Sequence, residues 1–114
     1  MSAITTHVLD TAKGRPAGGI NVTLEFHSAE HGWKLAGKGH TDADGRARDL
    51  LPADKRLEKG TYRLTFDVAA YFRAQNVEGF FPEAAITFAV RDTAQHYHVP
   101  LLLSPFGYST YRGS

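Results

Sequence analysis

The sequence holds no cysteine, which rules out a disulfide framework and a thiolate metal site and leaves stability to packing or assembly. Charge of either sign is not in excess. Thirteen basic and twelve acidic side chains are spread along the chain, so there is no electrostatic footprint for nucleic acid or an anionic membrane. The expected partner is therefore neutral, small or another copy of the chain. No apolar run approaches the roughly 20 residues that a bilayer-spanning helix needs. The opening MSAITTHVLD lacks the basic and apolar stretches of a secretory signal, so cytoplasmic residence is expected. Neither a GxGxxG nor a Walker-type pattern is present, which argues against a phosphate-cradling loop. Ser104, Ser109 and Ser114 lie outside any GxSxG context, which disfavours a covalent serine mechanism. With 114 residues, the chain can bury one core and little more, so a single domain over 1–114 is expected.

What the sequence does have is two-residue alternation. In INVTLEF, Val22, Leu24 and Phe26 share one face and Thr23 and Glu25 the other, the pattern of a half-buried strand. TYRLTFDV and AITFAV repeat it, and ITTHVL and WKLAGKGH are shorter candidates. KGRPAGG, DADG, EKG and FFPE supply the turns. Only VAAYFRAQN offers helical spacing. Short strands at regular intervals predict a mainly β, antiparallel two-sheet sandwich of Greek-key type with one short helix.

HYHVPLLLS differs from the other strands, because Tyr97, Val99, Leu101 and Leu103 occupy one face and His96, His98, Pro100 and Leu102 the other. Both faces are largely apolar, which predicts a strand covered twice, by the core and by a subunit contact or ligand cleft. Pro100 lacks a backbone donor and is expected on an edge strand or at a bulge. The i, i+2 spacing of His96 and His98 is compatible with chelation, but no dense ligand cluster accompanies it, so no metal is expected and His96 reads as a surface residue. His7 lies on the first candidate strand with Leu9 on its face, and Arg46 follows the DADG turn. The closing YSTYRGS carries no charged padding apart from Arg112, which suggests a docked tail, with Gly113 permitting close backbone approach. Two histidines, an arginine and a tyrosine or serine are the equipment for general acid/base hydrolysis by a positioned water.

TTHVLDTAKGRPA, TDADGR and HYHVPLLLSPFGYSTYRGS, with YFRAQNVEGFFPE between them, resemble the signature segments of the transthyretin-like 5-hydroxyisourate hydrolase family. The likeness runs nearly end to end. Transthyretin proper shares the sandwich and the LLSP stretch but lacks the two histidines and the closing Tyr-Arg-Gly-Ser. The resemblance implies a transthyretin-like sandwich assembled as a homotetramer, with sites in the channel between paired dimers and no cofactor. It also implies hydrolysis of 5-hydroxyisourate in urate degradation, with His7, His98, Arg46 and Tyr111 as catalytic groups. Arg46, Tyr111 and Ser114 would bind substrate. Either His98 or His7 would activate the water. The alternative it leaves is a transthyretin-like carrier binding a small aromatic ligand in the same channel.

Overall fold

The computed structural model describes residues 3–114. Nine strands and one helix follow in the order β1 (Ile4–Asp10), β2 (Arg15–Pro16), β3 (Asn21–Ser28), β4 (Gly32–His40), β5 (Arg46–Ala47), β6 (Gly60–Phe66), α1 (Val68–Arg73), β7 (Ala84–Val90), β8 (Tyr97–Ser104) and β9 (Gly107–Thr110). One sheet runs β4-β3-β6-β7. The other runs β2-β1-β8-β9, with β5 sharing the β2 edge of β1. Alternation builds the space between them: Val22, Leu24, Leu64 and Phe66 face inward from the first sheet, and Ile4, Val8, Leu101 and Leu103 from the second, all buried. A fully buried side chain of this size contributes about 1.5–3 kcal/mol. The sandwich and the strands read from period-two patterning are as expected.

Several features depart from the sequence reading. KGRPAGG is not only a turn, because Arg15 and Pro16 form β2 against Asp10 and Leu9. The tail contains a strand, β9. The helix is shorter than VAAYFRAQN: Asp67 caps it by accepting from the Ala70 N–H (3.2 Å), and Asn76 turns left-handed at φ 57° soon after its end. Tyr71 on that helix donates to Asp10 Oδ2 at 2.7 Å and so fastens it to β1.

Within the sandwich, β1 and β8 pair in parallel, with Thr5 beside His98 and His7 beside Pro100; the other strand pairs are antiparallel. Strand β8 therefore lies between β1 and β9, and Pro100 is not on an edge. Its missing donor is accommodated differently. The β8–β9 register runs through Leu101–Thr110 and resumes at the His98–Gly113 bridge, where Gly113 N–H donates to the His98 carbonyl at 2.8 Å. Residues two apart point their backbone polar groups to the same side of a strand, so the Pro100 nitrogen falls in the gap opposite Tyr111. The Thr110 hydroxyl donates to the Pro100 carbonyl there, at 2.7 Å.

The DADG turn delivers β5 to β1. Asp42 Oδ1 accepts from the backbone N–H groups of Asp44 (2.9 Å) and Arg46 (3.0 Å), and the Gly45 carbonyl accepts from Val8 N–H at 2.7 Å. Gly45 has φ +76°, and a methyl group there would collide with the Val8 carbonyl. Left-handed backbone alone costs a residue with a side chain about 1–2 kcal/mol. Gly45→Ala should therefore destabilise the protein by at least that amount, read as a lower midpoint in chemical denaturation. An unchanged midpoint would show that the turn has another conformation.

Candidate active site

The outer face of the β1–β8 sheet carries Thr5 and His7 from β1 and His98, Pro100 and Leu102 from β8, because paired residues in a parallel ladder share a face. β5 brings Arg46 opposite His7 in antiparallel register. A cleft of about 240 Å³ opens on this face, lined by Thr5, Thr6, Arg46, Arg48, His96, His98 and Ser114. Of the residues singled out from sequence, Arg46, His98 and Ser114 meet in this cleft. His7 lies beside it, within electrostatic range of His98. His96 is exposed, as expected, yet its ring reaches the cleft.

Thr5 is the residue that sequence reasoning missed. It is buried, and its Oγ1 lies 2.8 Å from Nδ1 of His98 and 2.9 Å from Nε2 of His96. The signal was available, since Thr5 is two residues before His7 and so on the same face of a strand. Arg48 is likewise two residues beyond Arg46, and it reaches Asp42 Oδ2 at 3.0 Å. The Arg46 backbone N–H, then that of Asp44 and the Arg48 charge, hold the Asp42 carboxyl below its ordinary value. A carboxylate so held keeps the turn that presents Arg46 intact at neutral pH.

Gly113 fits the tail over His98. A methyl group there would lie 2.6 Å from His98 Cδ2 and 3.2 Å from Pro100 Cγ, so only glycine permits this approach without displacing the imidazole. Tyr111, by contrast, does not enter the cleft. It is 58% exposed and lines a neighbouring groove of about 210 Å³ with Ile86, Phe88, Tyr97 and Val99. The ladder is interrupted at the Pro100–Tyr111 position, so the alternation of the tail no longer dictates where that ring points. Arg112 turns to the same side, stacking over Tyr97 at 4.6 Å and donating to Gln95 Oε1 at 2.7 Å.

Burial, and after it the charges of Arg46, His96 and His7, hold the His98 imidazole below the ordinary value of 6.5. Each cause acts against the imidazolium, so the ring stays neutral, and able to accept a proton, further into acid than a free histidine. Arg46 supplies fixed positive charge and a planar fork of donors to the same space. Together they suit a reaction in which a proton is taken from water while negative charge builds on a carbonyl oxygen. In an NMR titration, His98 should protonate below 6.5, and Arg46→Gln should move the midpoint upward, because losing a nearby cation eases protonation. Burial remains in that variant, so the midpoint should still fall short of the free value. No upward movement on removing Arg46 would contradict this electrostatic account.

A sequence profile of the HIUase/Transthyretin family matches residues 4–113. The chain is 48% identical over 118 residues to a 5-hydroxyisourate hydrolase from Caulobacter vibrioides, with all of both chains covered. Among solved structures it is similar to Klebsiella pneumoniae 5-hydroxyisourate hydrolase, with a TM-score of 0.83 and 36% identity over 97% of this chain and 98% of that one. Sea bream transthyretin in complex with thyroxine superposes with a TM-score of 0.91 at 33% identity, over 98% and 95% of the two chains.

Proposed function

The chain belongs to the HIUase/Transthyretin family, and we infer from its site that it is a 5-hydroxyisourate hydrolase acting in urate degradation. The reaction opens the substrate's six-membered ring with water and yields 2-oxo-4-hydroxy-4-carboxy-5-ureidoimidazoline. The observation that carries this reading is the juxtaposition of a neutral-leaning His98 with Arg46 in one cleft. Superposition on transthyretin does not by itself decide between carrier and enzyme, since one fold hosts both.

In the mechanism we favour, His98 takes a proton from the attacking water. Its Nδ1 is engaged by Thr5, which leaves Nε2 for the water. The water oxygen adds to the ring acyl carbon, and Arg46 orients the flat, carbonyl-rich heterocycle and offsets the oxyanion charge. Collapse of the tetrahedral intermediate breaks the carbon–nitrogen bond, and the proton held on His98 returns to the leaving nitrogen. His7, next to Arg46 in register, is a second imidazole for that transfer. Ser114 contacts substrate from the tail, whereas Tyr111 touches none in the cleft of its own chain.

A cleft of about 240 Å³ is smaller than the roughly 300–1,000 Å³ of sites that enclose a small molecule. We attribute the shortfall to assembly. In a homotetramer a second copy covers the outer face of the β1–β8 sheet, where Leu9 and Leu102 are only half-buried in one chain. The same reading treats residues 1–114 as one catalytic unit, which we propose works in the cytoplasm.

The test follows ultraviolet absorbance of 5-hydroxyisourate generated in place from urate by a separate oxidase, against spontaneous decay. Accelerated ring opening is expected, and His98→Ala should lose about 10²- to 10⁴-fold of it, the usual contribution of a positioned base. Light scattering on both proteins should show the same tetramer. Unchanged decay with the wild-type tetramer present would favour a carrier, and undiminished turnover in His98→Ala would remove that residue from the mechanism.

A further inference from the structure

We propose that Thr5 and His96 form a relay that selects the tautomer of His98, with the Thr5 hydroxyl accepting from His98 Nδ1–H and donating to His96 Nε2. The distances are 2.8 and 2.9 Å, and the hydroxyl they share belongs to Thr5, a residue 5% exposed and paired in register with His98. The inference rests on the hydrolase reading above and assigns a positioning role to two residues outside it.

A hydroxyl carries one hydrogen and can donate to only one of the two rings. The other ring must then donate to the hydroxyl oxygen, so two arrangements exist. In the first, His98 Nδ1–H points at Thr5, the Thr5 proton points at His96, and His98 Nε2 is a bare lone pair. In the second, the chain of protons is reversed: His96 Nε2–H points at Thr5, the Thr5 proton points at His98 Nδ1, and the His98 proton sits on Nε2. Only the first leaves a nitrogen able to take a proton from water.

Two features favour the first arrangement. Arg46 lines the same cleft, and a guanidinium carries donors and positive charge but no acceptor, so it attracts a lone pair and repels an N–H dipole aimed into the cleft. His96 is exposed, so its Nδ1–H is satisfied by water when its Nε2 accepts from Thr5. Parallel pairing of β1 with β8 holds Thr5 and His98 side by side, and β-branching restricts the rotamers through which Thr5 could turn away. The relay moves no net charge and needs no co-reactant. It acts by deciding which nitrogen of His98 is free.

The decisive measurement is ¹⁵N NMR of imidazole-labelled intact protein near neutral pH without substrate, with His98 assigned by comparison with His98→Gln. Wild-type His98 is expected to carry its proton on Nδ1. Thr5→Val keeps the branched shape and removes the hydroxyl, and it should shift the proton towards Nε2. That variant should lower kcat by about 10- to 100-fold, the scale on which partners that orient a functional histidine act, with KM within about twofold. Thr5→Ser should restore both tautomer and turnover. A wild-type proton on Nε2 overturns the relay without recourse to any variant, as does a Thr5→Val protein that keeps Nδ1–H. Because the tautomer is read without substrate, a bare Nε2 in a protein that opens no ring would defeat the hydrolase reading and leave the relay standing.

Discussion

The parallel pairing of β1 with β8 decides where nearly every polar group of the site lies. Parallel ladders keep paired residues on one face, so Thr5 stands beside His98 and His7 beside Pro100. A slip of one residue in either strand would have turned its imidazole into the core and Val8 or Leu101 into solvent. The packing of Ile4, Val8, Leu101 and Leu103 against the facing sheet forbids that slip. The hydrophobic core therefore positions the chemistry, although no core side chain takes part in it. Two short elements then complete the site from this pair: β5 reaches β1 through a turn that tolerates only glycine at position 45, and the tail reaches β8 past a proline.

Electrostatically, the site avoids the usual difficulty of placing a base near a cation. Arg46, His96 and His7 all oppose protonation of His98, and burial opposes it more strongly than any of them. In a fully solvated setting such charges would be screened within about 8 Å at physiological ionic strength. On the partly buried face of a sheet they act through less water, and the effect is an imidazole kept neutral. A carboxylate partner, the common companion of a catalytic histidine, would push the other way and favour the imidazolium. Thr5 orients the ring with a neutral hydroxyl and so avoids that shift.

Much of this was legible in the sequence, for a clear physical reason. Period-two patterning is a strong signal when one face of a strand is buried, and Val22, Leu24, Leu64 and Phe66 obey it. The unusual double apolarity of β8 also pointed to a second covered face, and the site lies on that face. Pairing partners were not legible, because alternation describes each strand without saying which strand lies next to it. Its spacing put Thr5 on the face of His7, but a threonine in a strand is ordinary until it is known to sit beside His98. The place of Tyr111 within its own chain was not legible either. Its membership in a recognisable tail suggested the cleft, but the missing Pro100 donor interrupts the ladder opposite it, and the ring is free to turn to the groove beside Ile86 and Tyr97.

Cover on the outer face and basicity of His98 are not independent. The imidazole is half-buried in a single chain, and burial is already the leading cause that holds it neutral. Any surface that closes over Leu9, Leu102 and the tail removes more water from the ring and strengthens the same effect, along with the pull of Arg46 on an oxyanion, since both grow as the local dielectric falls. Desolvation carried too far would leave a ring too weak to hold the proton it takes from water. The exposed edge at His96, joined to His98 through Thr5, keeps one polar side of this cluster open to solvent in the single chain.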